Sequence, residues 1–167
     1  VVLITGGGGS IGAEICRQVA KLAPKVLLII DHNDFNLYTI QMELSTQYPQ
    51  LMFSCFLADI TDVVAMEKII NTHRPNVIFH AAAYKHVPML ENQVRAAVKN
   101  NILGTKVMAE AAAKANTEQF VFISTDKVVN PINVLGQSKR IGEIFCQNFN
   151  RQTTTQFITV RFGNVLG

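Results

Sequence analysis

The stretch "VVLITGGGGSIG", Val1–Gly12, decides how the chain begins to fold. Apolar and β-branched residues run directly into a glycine-rich turn, which is typical of a buried strand ending at a tight turn. The residues that follow place apolar side chains at helical spacing: Ile11, Ile15, Val19 and Leu22. Strand, glycine turn and amphipathic helix in this order predict the first βα unit of an α/β sheet.

The glycines of this turn predict a phosphate-binding site. Gly6 permits the tight turn, Gly9 lets the main chain approach a pyrophosphate, and Gly12 lets helix and strand pack closely. An anion would bind at the N-terminus of the helix, beside Ser10 and Ile11. The sequence therefore indicates a dinucleotide site, and the alternative is a glycine-rich turn that binds nothing.

An acidic residue follows at the distance that a dinucleotide site requires. Asp31 ends the apolar run "KVLLIID", and a carboxylate about 20 residues after the turn binds the adenosine ribose hydroxyls. Because this carboxylate would repel a 2′-phosphate, NAD is favoured over NADP as the cofactor. His32 would weaken that repulsion only when protonated, so NADP stays open as the second choice.

The rest of the chain repeats the strand-helix alternation. Six apolar runs read as strands: "VVLIT", "KVLLIID", "LMFSCFLAD", "NVIFHAA", "QFVFIST" and "QFITVRF". Long helices are predicted for "AAVKNNILGTKVMAEAAAKAN" and for "NVLGQSKRIGEIFCQNF", the second with Asn133 as its N-cap. Such apolar strands separated by helices predict a doubly wound parallel sheet, the Rossmann fold, as one domain over residues 1–167.

Composition narrows the class of function. The 167 residues are 49% hydrophobic and carry a formal charge of +3 without any basic block, so disorder and nucleic-acid binding are not expected. The three cysteines, Cys16, Cys55 and Cys146, lie far apart and outside metal-ligand spacing, which predicts reduced thiols and no metal site. No apolar run is long enough to span a bilayer.

Further residues at predicted strand ends fit a dinucleotide. Asp59 and Ile60 suit the edge and face of an adenine, and Asn101 is predicted to brace the helix near the active site. The alternative for Asn101 is an ordinary buried polar residue. Small residues that leave room for the dinucleotide follow the fourth strand: Ala81, Ala82 and Ala83.

Taken together, "TGGGGSIG", "HAAAYKHVP", "NNILGT", "STDK" and "RFGNVLG" resemble the extended short-chain dehydrogenases/reductases. More narrowly, the chain resembles the CapD-like polysaccharide biosynthesis proteins, which are nucleotide-sugar 4,6-dehydratases acting on UDP-N-acetylglucosamine. The resemblance implies that bound NAD(P) oxidises sugar carbon 4, that water is lost across carbons 5 and 6, and that hydride returns to carbon 6. It also implies a substrate lobe largely beyond this chain, and a homo-oligomer.

The resemblance assigns roles to the stretch "STDK". Asp126 protonates the departing hydroxyl and Lys127 takes the proton from carbon 5, while the place of Ser124 at the end of the fifth predicted strand puts its hydroxyl at the oxygen on carbon 4. Such roles require a raised pKa for Asp126 and a lowered one for Lys127. Lys139 binds the nicotinamide ribose. An Asp-Lys pair that caps a loop, and a solvated helix lysine, are the alternatives.

Leu135 departs from the superfamily pattern, because a tyrosine usually stands four residues before the lysine. The tyrosine's acid/base help is worth roughly 10² to 10⁴ in rate. We therefore expect an apolar wall at Leu135, with the carbon 4 proton passing through Ser124, Thr125 or a water to Lys139 or Asp126. Long, membrane-anchored family members resemble the chain in this departure, which predicts an excised domain from the cytoplasmic face of a bacterial inner membrane.

Substrate contacts are predicted for Lys85, His86 and Asn164, with a UDP-sugar as the partner; a surface turn is the alternative for the first two.

Two other functions stay open. A UDP-sugar 4-epimerase shares the oxidation step but has no use for an acid and base at positions 126 and 127. A catalytically silent NAD(P)-binding domain would explain Leu135.

Overall fold

The computed structural model describes residues 1–163. Six strands form one sheet: β1 (Val2–Thr5), β2 (Leu27–Asp31), β3 (Phe53–Leu57), β4 (Val77–His80), β5 (Gln119–Thr125) and β6 (Gln156–Phe162). Their spatial order is β3-β2-β1-β4-β5-β6, and every neighbouring pair is parallel. The predicted doubly wound Rossmann sheet is thereby confirmed, with all six strands at the predicted places.

The described residues form seven α-helices: α1 (Ser10–Lys21), α2 (Asp34–Gln47), α3 (Val63–His73), α4 (Val87–Glu91), α5 (Val94–Ala97), α6 (Thr105–Lys114) and α7 (Val134–Phe149). Of these, α1, α2, α3, α6 and α7 pack on the sheet. The side chains of β1 alternate between two cores. Leu3 packs in a core with residues of α3, α6 and α7, whereas Ile4 packs in a core with residues of α1 and α2. The sheet is therefore buried on both faces, which explains why its strands are almost continuously apolar.

The two predicted long helices differ in regularity. Asn133 caps α7 as predicted, since its Oδ1 accepts a hydrogen bond of 2.8 Å from the main-chain N–H of Gly136. The Ala-rich helix instead contains a π-helical segment, Val98–Gly104, between α5 and α6. Leu22, predicted on the buried stripe of α1, is 81% exposed because it caps the helix end.

Strand order reverses between β1 and β4, which leaves a crevice at the carboxyl ends of these two strands. The glycine turn follows β1, Asp31 ends β2, and the small residues 81–83 follow β4. Thr125 ends β5 at the same edge. Topology alone thus gathers most of the predicted site residues. Within the described residues, no helix is both long and apolar enough to cross a membrane.

Candidate active site

The glycine turn is built for close approach and leaves a helix end open. Gly6 adopts φ 66°, and a Cβ there would lie 2.7 Å from the Cα of Ala82. Gly9 is the N-cap of α1 and provides no side-chain cap, while Gly12 is buried against the Gly6 carbonyl. The first N–H groups of α1 therefore remain available to an anion. This arrangement fits the pyrophosphate of a dinucleotide.

Asp31 is fixed beside this turn by two main-chain donors. Its Oδ2 accepts from the N–H of Gly8 and its Oδ1 from the N–H of Asn33, both at 2.9 Å. The carboxylate is almost fully buried. His32 is exposed, and its Nδ1 lies 3.7 Å from Asp31 Oδ1. A charge held in this way is placed to receive ribose hydroxyls and to oppose a 2′-phosphate.

Substitution Asp31→Asn is expected to weaken NAD binding and to narrow the preference for NAD over NADP. The amide keeps the shape of the carboxylate but loses its charge, and hydrogen bonds to charged groups contribute about 1.5 to 3 kcal/mol. NAD affinity should therefore fall by roughly tenfold or more, with a smaller change for NADP. Titration calorimetry with both cofactors measures this, with the exposed Asp34→Asn as the matched control; equal losses for both cofactors would contradict the assignment.

Asp59 and Ile60, both predicted to contact the adenine, differ in exposure. Asp59 is half exposed and accepts a 2.8 Å hydrogen bond from the N–H of Thr61. Burial acts to raise the pKa of Asp59, but the Thr61 hydrogen bonds and Lys99 lower it overall. Ile60 was expected to offer its side chain to the adenine face, and this is wrong: the side chain is buried against Gly104. Only the main chain of Ile60 remains available for that contact.

Asn101 braces the site, as predicted. Its Oδ1 accepts from the N–H of Tyr84 at 2.8 Å, and its Nδ2 donates to the Tyr84 carbonyl at 3.0 Å. The same Nδ2 donates to Ser138 Oγ on α7 at 3.1 Å. One buried amide therefore joins the loop after β4 to the helix that carries Lys139. It lies in the π-helical segment, a feature often found at functional sites.

Lys85 and His86 are both exposed, on the loop between β4 and α4. The Nζ of Lys85 donates to Ser10 Oγ at 3.2 Å, at the N-terminus of α1. Lys85 was predicted to bind substrate, but this contact places its charge beside the glycine turn. Its position suits a cofactor phosphate. Asn164, the third predicted substrate residue, lies outside the described residues.

The stretch 124–127 points its side chains in different directions. Ser124 is 3% exposed and lies on the same face of β5 as Phe120 and Phe122, against α7. The expectation that its hydroxyl meets the sugar is therefore not met. Thr125, the next residue, is partly exposed at the open edge. Successive side chains of a strand point to opposite faces, so the hydroxyl of Thr125 is accessible at this edge and that of its neighbour Ser124 is not.

Thr125, Asp126 and Lys127 form one hydrogen-bonded group. The Thr125 hydroxyl accepts from the N–H of Lys127 at 3.4 Å and donates to Asp126 Oδ1 at 3.0 Å. Lys127 Nζ lies 3.3 Å from the same Oδ1. The hydrogen bond from Thr125, followed by that from Lys127, lowers the pKa of Asp126. The expected rise in this pKa is thus absent, because Asp126 is exposed and surrounded by donors.

Lys139 is buried one helical turn after Leu135, which excludes the solvated alternative. Its Nζ lies 4.3 Å from the centroid of the Phe122 ring. Burial lowers the pKa of Lys139 from 10.5 to about 8. Leu135 is buried in a small apolar cluster with Leu90 and Ala97, and its role as an apolar wall of the sugar site stays a prediction.

Substitution Lys139→Met is expected to stabilise the protein while it removes activity. The variant loses a buried charge, which is worth about 1 to 3 kcal/mol of unfolding free energy at pH 7. Because the folded pKa lies below 10.5, the wild-type unfolding free energy rises between about pH 8 and 10.5, and the variant's does not. Denaturant unfolding at pH 7 and pH 10 measures the difference. A destabilised variant at pH 7 would contradict the assignment of a desolvated charge.

An ion cluster around one buried carboxylate, which the sequence did not predict, joins α7 to β6. Glu143 is fully buried, and its oxygens accept from Arg161 Nε at 2.8 Å and Nη2 at 2.6 Å, and from Arg140 Nη1 at 3.0 Å. Burial acts to raise the pKa of Glu143, but Arg161, Ser124 and Arg140 lower it overall. The Ser124 hydroxyl lowers the pKa of Glu143 by its proximity, although its oxygen makes no hydrogen bond within the described residues. One feature of the sequence does point to Glu143: it follows Lys139 by four residues, so the two side chains lie on the same face of the helix.

Comparison with known proteins agrees with the fold and the motifs. The model of one family, described as "Polysaccharide biosynthesis protein", matches residues 2–167. The chain belongs to this family. It is 46% identical to the probable polysaccharide biosynthesis protein EpsC of Bacillus subtilis over 99% of this chain and 28% of that protein.

More distant family relatives carry two different activities in their names. A UDP-N-acetylglucosamine 4,6-dehydratase (inverting) of Campylobacter jejuni and a UDP-glucose 4-epimerase of Rickettsia rickettsii are each 29% identical, over 99% of this chain and 49% of those proteins. The X-ray structure of Pen from Bacillus thuringiensis superimposes with a TM-score of 0.90 at 30% identity, covering 99% of this chain and 50% of that one. The chain thus spans about half the length of these relatives or less.

Proposed function

We propose that the chain is the NAD-binding part of a nucleotide-sugar 4,6-dehydratase that acts on UDP-N-acetylglucosamine. The observation that carries this proposal is the hydrogen-bonded group of Thr125, Asp126 and Lys127 at the carboxyl edge of β5. Elimination of water needs one group that takes a proton and one that gives a proton, close together. A 4-epimerase moves only the carbon 4 hydroxyl proton and the hydride, so it has no use for a second proton-transfer group that takes the carbon 5 proton.

The cofactor site of the proposal rests on the geometry of the crevice. The uncapped N-terminus of α1 would bind the pyrophosphate, Asp31 the adenosine ribose, and Lys139 the nicotinamide ribose. When bound there, NAD would supply the acceptor for a hydride from carbon 4 and the donor of a hydride to carbon 6. Lys85 would reach the phosphates from the opposite side of the turn.

The direction of the hydrogen bonds supplies a route that replaces the missing tyrosine. The Thr125 hydroxyl already donates to Asp126 Oδ1, so a sugar hydroxyl that donates to Thr125 would complete a relay into an ionised carboxylate. The low pKa of Asp126 suits this first task, because the carboxylate must start without a proton. Oxidation at carbon 4 would therefore leave its proton on Asp126.

The same proton then serves the elimination. Lys127, as the neutral amine, takes the proton from carbon 5, which is acidified by the new ketone at carbon 4. Protonated Asp126 gives its proton to the hydroxyl on carbon 6, and the carbon–oxygen bond breaks to release water. As carbon 6 is reduced, Lys127 returns a proton to carbon 5. The product is a 4-keto-6-deoxy sugar nucleotide, and both side chains regain their starting states.

The proposal is tested by incubating the complete polypeptide that carries this sequence with UDP-N-acetylglucosamine and NAD. Mass spectrometry and proton NMR should show a product that is lighter by one water and has a methyl group at carbon 6. A product of unchanged mass with inverted carbon 4 would favour the epimerase. NAD binding without any conversion would favour the silent domain. The predicted membrane location and homo-oligomer stay predictions.

A further inference from the structure

His80, the last residue of β4, is fully buried and uses both ring nitrogens. Its Nδ1 lies 2.8 Å from Thr5 Oγ1 at the end of β1. Its Nε2 lies 3.0 Å from Thr105 Oγ1 at the start of α6. One imidazole therefore connects the central strand of the sheet with the helix that follows the π-helical segment. None of the roles described above uses this residue.

The other hydrogen bonds of Thr5 and Thr105 indicate which atom donates in each hydrogen bond of His80. Thr105 Oγ1 donates its only proton to the Asn101 carbonyl at 2.7 Å, so it must accept from His80 Nε2–H. Thr5 Oγ1 accepts from the N–H of Ala82 at 3.4 Å, which leaves its proton for His80 Nδ1. The imidazole therefore carries a proton on Nε2, and in the neutral ring Nδ1 accepts the proton of Thr5.

The surroundings of the ring maintain that neutral form. Burial, followed by the charge of Lys139, lowers the pKa of His80 to about 3. The ring also stacks on Phe122, with 5.9 Å between centroids, and Lys139 Nζ lies over the same Phe122 ring. Protonation of His80 would place a second cation next to Lys139 and would require the Thr5 hydroxyl to reverse its hydrogen bond to Nδ1.

Each end of the hydrogen-bonded chain reaches a part of the cofactor site. At one end, Ala82 is the residue whose main chain lies against Gly6 in the glycine turn. At the other end, Asn101 holds both Tyr84 and Ser138, and Ser138 precedes Lys139 on α7. A change in the geometry of one end must therefore be accommodated by the ring at the centre.

We propose that His80 is a positioning residue which holds the phosphate-binding turn and the Asn101 brace in one fixed relation, so that both ends of the dinucleotide site are aligned. The proposal uses the NAD site of the proposed function but not the dehydration step. It predicts that Thr5 and Thr105, which do not share a hydrogen bond, are energetically coupled through the imidazole between them.

A double-mutant cycle on NAD affinity tests this coupling in the complete polypeptide. Thr5→Val and Thr105→Val should each weaken NAD binding by roughly three- to tenfold. The double variant should be weakened by at least about threefold less than the product of the two single effects. In a His80→Phe background the coupling should vanish. The proposal would be overturned if, in the wild-type background, the loss of NAD affinity in the double variant equals the product of the two single losses. It would also be overturned if variants that remain folded bind NAD with unchanged affinity.

A matched control removes the same kind of bond elsewhere. Thr46 Oγ1 donates to the Met42 carbonyl on α2, just as Thr105 does to Asn101, so Thr46→Val should leave NAD affinity unchanged. Independently of NAD, ¹⁵N NMR of wild-type protein at pH 7 should show a proton on His80 Nε2 and none on Nδ1. A proton on Nδ1, or on both nitrogens, would overturn the proposal even if NAD binds. Failure of the wild type to bind NAD would instead reject the proposed cofactor.

Discussion

Substitution Asp126→Asn is expected to lower dehydration of UDP-N-acetylglucosamine by roughly 10² to 10⁴-fold. The amide keeps the shape of the side chain but neither accepts the carbon 4 proton from Thr125 nor donates a proton to the departing hydroxyl. Because the first of these tasks belongs to the oxidation, reduced nicotinamide should not accumulate in a single turnover. Stopped-flow absorbance of the reduced cofactor, together with NMR of the product, measures both effects.

Two controls separate this role from a general loss of structure. Asp34→Asn removes an exposed carboxylate at the start of α2 and should leave the rate unchanged. Thr125→Ser keeps a hydroxyl next to Asp126 and should retain most of the oxidation, whereas Thr125→Val should lose it. Dehydration by Asp126→Asn within about threefold of the wild-type rate would remove Asp126 from the mechanism.

Substitution Lys127→Met is expected to give a different result from Asp126→Asn, although both slow the overall reaction by roughly 10² to 10⁴-fold. The relay from Thr125 to Asp126 remains, so carbon 4 is still oxidised. Without a base for the carbon 5 proton, water is not lost, and reduced nicotinamide should accumulate. Exchange of the carbon 5 proton with deuterated water should also stop, which NMR detects.

The matched control is Lys106→Met, which removes an exposed lysine paired with Glu110 on α6 and should not affect either step. If Lys127→Met and Asp126→Asn both leave the cofactor fully oxidised, the two residues do not divide the work as proposed. Normal exchange at carbon 5 in Lys127→Met would place the base at another residue.

Much of the fold was predictable because its signals are local. Six apolar runs predicted six strands, and the glycine turn followed by Asp31 predicted the place of the crevice. Asn133 was recognised as an N-cap from its residue type and position. In each case the sequence feature and the structure it specifies lie within a few residues of each other, so the inference needed no knowledge of distant contacts.

The errors concern which way a side chain points. Ser124 shares a face with Phe120 and Phe122, and the two-residue period of a strand would have placed it against the helices. Ile60, just after β3, was predicted to contact the adenine face. Its side chain instead lies in the core, where Gly104 of the π-helical segment leaves room for it. Such outcomes depend on contacts between segments far apart in sequence.

The buried polar residues were the least predictable part of the site. His80 and Glu143 each satisfy partners that come from two or three separate elements. A lone histidine or glutamate in a sequence does not reveal those partners. The π-helical segment had no sequence signal either, although Asn101, which it positions, had been singled out from its motif.

The central claim is that hydride moves from carbon 4 to carbon 6 while Asp126 and Lys127 remove water between them. UDP-N-acetylglucosamine deuterated at carbon 4 tests it most directly in the complete polypeptide with NAD. The deuterium should appear at carbon 6 of a product that is lighter by one water. Deuterium that stays at carbon 4, in a sugar nucleotide of unchanged mass, would contradict the claim.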